Sequence, residues 1–175
     1  MHIEVLLTGN EIMSGDTVDS NSSKIAHHLS KLGLIIKRKV TVGDDQKLLE
    51  DELKEMTSKA DLVIMNGGLG PTVDDLTAEV VASVAKVKLV EHPEAIQHLN
   101  EWCSKRNLSV NTANYKQAIL PENCDILANP IGSAVGFIVK IGECTLMCTP
   151  GVPGELMPML DIIVERLSEK DVYSG

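Results

Sequence analysis

Three short apolar runs, each followed by a segment of helical periodicity, constrain this chain most. Ile3 to Thr8, Leu34 to Val42 and Leu62 to Met65 read as strands. Leu62 to Met65 is wholly apolar, the pattern of a strand buried on both faces of a parallel sheet. After the first strand, Asn10 to Ser20 is polar and reads as a loop. Asn21 or Ser22 can cap a helix to about Leu32, with Gly33 as its stop and Ile25, Leu29 and Leu32 as its apolar face. Asp44 or Asp45 caps a second helix, in which Leu48, Leu49, Leu53 and Met56 recur at helical spacing. Leu76 to Val84 is a third, and Pro93 opens a fourth that runs to about Arg106. Strands that alternate with helices in this way predict an α/β fold, a parallel sheet with helices on both faces. From Gln117 the texture changes. Ala118 to Leu120, Ile126 to Leu127, Val135 to Val139 and Thr145 to Cys148 are short apolar runs between Pro and Gly, which read as edge strands or a small antiparallel excursion. Pro153 to Leu167 closes the chain as a helix. One domain over residues 1–170 with a tail at 171–175 accommodates all of this.

Composition removes several function classes. The 175 residues carry 16 Lys and Arg against 25 Asp and Glu, a net charge of −9. A nucleic-acid surface or an anionic membrane surface needs basic clusters, so neither partner is expected. Trp102, Tyr115, Phe137 and Tyr173 are the only aromatic residues besides histidine. Such sparse rings make no stacking platform for single strands, and any bound base is expected to be held by aliphatic side chains and backbone. Cys103, Cys124, Cys144 and Cys148 include no CxxC and read as reduced, buried thiols rather than zinc ligands. His2, His27, His28, His92 and His98 have no ligand spacing. No apolar stretch approaches the ~18 residues of a membrane span, and the N-terminal segment lacks the basic start of a secretion signal. A cytoplasmic protein is the expectation.

The chemistry concentrates in two loops. In open parallel sheets, ligands bind beyond the carboxyl ends of the strands. Thr8-Gly9-Asn10-Glu11 follows the first strand, and Gly67-Gly68-Leu69-Gly70-Pro71-Thr72-Val73-Asp74-Asp75 follows the third. If those strands are neighbours, both loops face one crevice. Three glycines within four residues let backbone N–H groups approach a phosphate without Cβ clashes, and the next helix offers a positive dipole end. The loop lacks the Gly-Lys-Ser/Thr of a P-loop, and Val73 stands where a dinucleotide fingerprint needs its third glycine. A tight strand-to-helix turn explains the glycines equally well. Asp74 and Asp75 place two negative charges beside the phosphate, a conflict that a hard divalent cation resolves. Asp44, after the second strand, is a second metal candidate beside Asp75. Glu11 is a candidate to orient water or a second cation. Capping accounts for the same acids: Thr72-x-x-Asp75 resembles a capping box, Asp44 an N-cap, and Glu11 a solvated loop acid. A Gly-x-Ser-x-Gly elbow is absent, so a serine nucleophile has no support.

At these residues the chain resembles the molybdopterin-binding domain superfamily, most closely the N-terminal domain of the CinA (competence/damage-inducible protein) family. The matching pieces are Thr8 to Ile12 with Gly15, the helix start at Asn21, Val42-Gly43-Asp44, Gly67 to Thr77, Asn114 to Ala118, Asn129 to Gly136 and Pro150 to Glu155. They run in order from about Ile3 to Leu167. Val135 and Thr149 depart from the Pro and Leu expected near the last motifs.

The resemblance implies a three-layer α/β/α sandwich with a mostly parallel central sheet. It implies a pocket for a nucleotide or pterin, lined by the two loops with Thr77, Asn114, Lys116, Pro150 and Gly151. Asp75 and Asp44 fall at acids that serve catalysis and metal binding in the MogA and MoaB relatives. Those relatives transfer adenylate to molybdopterin. In CinA-like proteins the same domain resembles a metal- and potassium-dependent ADP-ribose pyrophosphatase. The expectations are therefore hydrolysis of ADP-ribose to AMP and ribose 5-phosphate, a divalent ion (magnesium, manganese or cobalt) and potassium as a further ion. Lys116 is expected on a phosphate, and Glu11 or Asp74 on the attacking water. Adenylate transfer to molybdopterin and a non-catalytic nucleotide- or pterin-binding module are the alternatives. Self-association as a homo-oligomer, dimer or trimer, is also implied. Full CinA proteins carry a C-terminal amidase domain for nicotinamide mononucleotide, and this chain stops at Gly175, so that activity is not assigned to it.

Overall fold

A computed structural model describes residues 1–174. The first three strands, β1 (Ile3–Thr8), β2 (Ile36–Val42) and β3 (Leu62–Asn66), are parallel neighbours, with β1 in the middle. The condition for a shared crevice is met: Leu7 of β1 pairs with Asn66 of β3, so the loops after these strands start side by side. The polar stretch after β1 contains a short helix, α1 (Asn10–Met13), where the sequence predicts only loop. Next comes α2 (Asn21–Ser30). Asn21 does not cap it. Asp19 does the local bonding, accepting from the amide and hydroxyl of Ser22 at 3.0 and 2.5 Å.

The caps expected at 44 and 45 resolve in favour of Asp45, whose carboxylate accepts from the Leu48 amide at 3.0 Å and opens α3 (Gln46–Lys59). Leu49, Leu53 and Met56 of that helix are buried, while Leu48 is exposed. After the glycine loop, α4 (Thr77–Ala85) leads to β4 (Leu89–Glu91), a three-residue strand without a clear sequence signal. Pro93 starts α5 (Pro93–Lys105) as predicted. A single turn, α6 (Thr112–Tyr115), precedes β5 (Ile119–Pro121), which pairs antiparallel with β4 as a separate ribbon.

The remaining strands are β6 (Asp125–Leu127), β7 (Gly136–Ile141) and β8 (Cys144–Thr149). Sheet order is β2-β1-β3-β8-β7-β6. β6 and β7 form the expected antiparallel excursion. β8 departs from the edge-strand alternative: it pairs antiparallel with β7 but lies inside the sheet, parallel to β3, with Asn66 opposite Thr149. The closing helix α7 (Pro153–Ser174) extends past Leu167, and Gly175 lies outside the described residues.

Strand residues alternate between two cores, as the pleat requires. Leu6, Val63, Met65 and Leu146 pack with α3, α4 and α5, while Val5, Leu7, Ile64 and Met147 pack with α2 and α7. The result is the three-layer α/β/α sandwich with a mostly parallel sheet. Cys103, Cys124, Cys144 and Cys148 are free and buried. Burial pushes the Cys124 and Cys144 thiols up to about 11 and raises Cys148 well above its ordinary range. No helix among the described residues is long and apolar enough to cross a membrane.

Candidate functional site

Three parallel strands deliver their following loops to one edge of the sheet: Gly9 onward after β1, Gly67 onward after β3, and Pro150 onward after β8. Between them lies a cleft of about 660 Å³. Thr8, Gly9, Glu11, Asp44, the loop Gly67 to Thr72, Asp74, Asp75, Pro150 and Gly151 all border it. The structure thus gathers most of the predicted site residues into one volume.

The carboxylates are held differently. Asp44 accepts from the Thr8 hydroxyl at 3.3 Å and the Asn10 amide at 3.2 Å, and its own amide donates to Asn10 Oδ1 at 2.8 Å. Asn10 therefore serves the cleft by fixing Asp44 and does not border it. Asp75 Oδ2 accepts from the amide and hydroxyl of Thr72, at 3.0 and 2.8 Å. This closes a turn inside the loop and replaces the predicted capping box: α4 begins two residues later, behind Leu76, without a side-chain cap.

Gly67 and Gly68 both have positive φ, 105° and 72°. The Gly67 amide is bonded to Thr149 O, whereas those of Gly68, Leu69 and Gly70 have no protein acceptor among the described residues. They are available donors at the wall of the cleft. At the start of α4 the Thr77 amide is bonded to Gly68 O and is not free for a ligand.

Besides Asn10, three expected pocket residues lie elsewhere. Thr77 is fully buried, and its hydroxyl donates to Gly67 O at 2.7 Å, so it shapes the loop from beneath. Lys116 does not border the cleft: its ammonium donates to the carbonyls of Thr72 and Asp75 and stands 3.9 Å from Glu79, clamping the loop from behind. Asn114 is farther out, its amide donating to Asn111 Oδ1 at 2.7 Å in the α6 turn.

Sequence reading missed several contributors. Asn66 donates to Thr149 Oγ1 (3.0 Å) and Pro150 O (2.9 Å), and accepts from Asn21 Nδ2 (2.9 Å). Asn21 also donates to Gly151 O at 2.8 Å, so the two buried amides tie β3, α2 and the loop after β8 together. The adjacency of Asn66 to the glycine loop was the available signal. A second wall, 132–134, is held by Asn129, whose amide donates to Ala134 O and Glu155 Oε1 and accepts from the amides of Ile131 and Gly132. Trp102 and Gln117 reach the cleft on that side.

Charge sets the chemistry. Glu11, Asp19, Asp44, Asp74, Asp75 and Glu155 border the cleft, and no Lys or Arg among the described residues does. Described His, Cys, Asp and Glu residues nowhere converge in threes as a metal cage would. Asp44 and Asp75 border the cleft from the loops after β2 and β3.

Comparison with known proteins agrees with this architecture. Residues 4–169 match the family described as a probable molybdopterin binding domain. A CinA-like protein of Colwellia psychrerythraea is 54% identical over 158 residues, 90% of this chain and 37% of that protein. One from Citrifermentans bemidjiense is 42% identical over 161 residues, 92% of this chain and 39% of its own length. The chain thus spans under two fifths of these curated relatives. The crystal structure of a CinA protein of unknown function from Thermoplasma acidophilum superposes with a TM-score of 0.86 at 31% identity, covering 98% of this chain and 97% of that one. The Mog protein of Mycobacterium ulcerans shares the fold at 19% identity, with a TM-score of 0.65 and coverage of 97% and 95%. This chain belongs to the molybdopterin-binding domain family and is CinA-like within it.

Proposed function

We propose that the chain is a metal-dependent nucleotide pyrophosphatase that hydrolyses ADP-ribose to AMP and ribose 5-phosphate. The observation that carries this reading is the cleft's charge: among the described residues, six carboxylates and no basic side chain border it, beside a row of free glycine-loop amides. A diphosphate is repelled by such a wall unless a cation accompanies it. Asp44 and Asp75 are the residues to hold that ion, magnesium, manganese or cobalt, which supplies charge neutralisation and a lowered water pKa when bound. Potassium is proposed as a further ion. The amides of Gly68, Leu69 and Gly70 donate to the phosphoryl oxygens as charge builds on them. Glu11 or Asp74 takes a proton from the attacking water at a carboxylate oxygen. Water's oxygen bonds to one phosphorus, and the bridging oxygen leaves with the other phosphate.

Adenylate transfer to molybdopterin is the second reading, favoured by the family's description and by the fold shared with the Mog protein. It needs the same grip on phosphate with a pterin acceptor in place of water.

Purified protein incubated with ADP-ribose, FAD, NAD or ATP, in each divalent ion with potassium, tests the proposal. Asp75→Asn is the control of choice, because its amide oxygen still accepts from Thr72. The expected outcome is AMP and ribose 5-phosphate from ADP-ribose, with turnover at least about 100-fold lower in Asp75→Asn. Full metal-dependent turnover in the folded variant would sink the roles given to Asp75. Cleavage of none of the four directs attention to molybdopterin adenylation, and ADP-ribose binding without turnover directs it to a non-catalytic module.

A further inference from the structure

The sequence predicts a base held by aliphatic side chains, yet the chain's single tryptophan borders the cleft. Trp102 lies near the end of α5, and its position is fixed on two sides. Its Nε1 donates to Ile131 O at 3.0 Å. The Arg106 guanidinium covers one face of the ring, 4.0 Å from the centroid. The ring also packs in part against the core beside α5, and the part left exposed borders the cleft. A cation on one face polarises the ring and strengthens its hold on an aromatic system stacked against the other.

The neighbouring polar groups match a heterocycle's edge. Gln117 is buried, and its Oε1 accepts from the Ser133 hydroxyl at 3.0 Å. That bond orients the amide so that Nε2 remains a donor with no protein acceptor among the described residues. Ser133 Oγ, having donated its proton, retains lone pairs. A donor beside an acceptor complements a purine edge that presents a ring nitrogen next to an exocyclic amine. The loop 131–133 carries the whole arrangement: Ile131 anchors Trp102, Ser133 anchors Gln117, and Gly132 O receives His98 Nε2 at 2.7 Å.

We infer that Trp102, Gln117 and Ser133 form a purine subsite, Trp102 stacking on the base and Gln117 reading its edge. This rests on the nucleotide reading of the cleft and names which end of it takes the base: the 131–133 wall, with the phosphates toward Gly68 to Gly70.

Because Trp102 is the sole tryptophan, its emission reports directly on the subsite. AMP should quench the emission saturably, and ribose 5-phosphate should not. Calorimetric AMP affinity should fall about 10-fold in Trp102→Ala, the scale of one lost base stack, and recover in part in Trp102→Phe. ADP-ribose turnover measured in parallel should show the loss in KM, with kcat within about two-fold. AMP binding that leaves emission and Trp102→Ala affinity unchanged overturns the subsite whether or not ADP-ribose is cleaved. Quenching by AMP without cleavage of ADP-ribose upholds the subsite and sinks the pyrophosphatase reading. No AMP binding by calorimetry overturns the subsite, and cleavage in the parallel assay then decides the hydrolase on its own.

Discussion

Gly67 shows how much of the site depends on single positions. Its φ is 105°, which L side chains rarely adopt, and a Cβ there would lie 2.7 Å from the carbonyl oxygen of Thr8. That neighbour is backbone of β1 and cannot rotate away. Gly67→Ala therefore meets strain and a clash together, and should lower unfolding free energy by about 1–3 kcal/mol in denaturant titrations. A stability equal to the parent's would show that the loop can take another path. Single residues were also where the sequence was most legible. The glycines, Asp44 and Asp75 stood out as a ligand-loop pattern, although a tight turn and helix caps explain them equally well, and the fold brings them to one cleft. Lys116, expected on a phosphate, bonds the back of the loop: a lysine can reach the cleft or the back of its loop with the same four-carbon stem, and spacing along the chain does not distinguish them.

At the scale of elements, the amide pair Asn21 and Asn66 does what strand pairing cannot. Strand pairing ends at Asn66 and Thr149, with the Gly67 amide still on Thr149 O, and the side chains of Asn66 and Asn21 tie down the loop after β8. Asn66 is 1% exposed, so its removal leaves buried partners without replacement by water. Asn66→Ala should cost about 2–3 kcal/mol in thermal or chemical denaturation, from the stranded groups of Asn21, Thr149 and Pro150. It should also weaken nucleotide binding by loosening the loops after β3 and β8. A loss below about 0.5 kcal/mol would mean that these partners find new bonds. Elements with clear signals were readable in advance: α3 by the spacing of Leu49, Leu53 and Met56, and α5 by Pro93 at its first turn. β8 was not placed in the sheet's interior, because Cys144 to Thr149 has the composition of any short strand and its partner lies about 80 residues away. β4 was missed outright, since Leu89 is 38% exposed and three residues carry no period. Trp102 was discounted as one of four scattered rings, and only the path of the 129–134 loop brings the cleft to it.

For the whole molecule, the buried thiols set an alkaline limit on stability. Cys124 and Cys144 ionise near 9 when exposed and are pushed up to about 11 by burial, with Cys148 raised as well. Well below pH 9 all three are protonated in folded and unfolded chains, so they add no pH dependence. Above pH 9 the unfolded chain releases protons that the folded chain still holds. Proton binding is then greater in the folded state, and stability falls as pH rises between about 9 and 11. Melting temperature measured across that interval should decline, and replacing Cys124 or Cys144 with Ala should flatten the decline while costing core packing at neutral pH. The same burial should keep these thiols unreactive toward alkylating reagents at pH 8 until denaturant is added, because the thiolate is the reactive form and it is scarce in the folded core. Rapid labelling of the native protein at pH 8 would contradict the packing of β8 between β3 and β7, since Cys144 and Cys148 both lie on that strand.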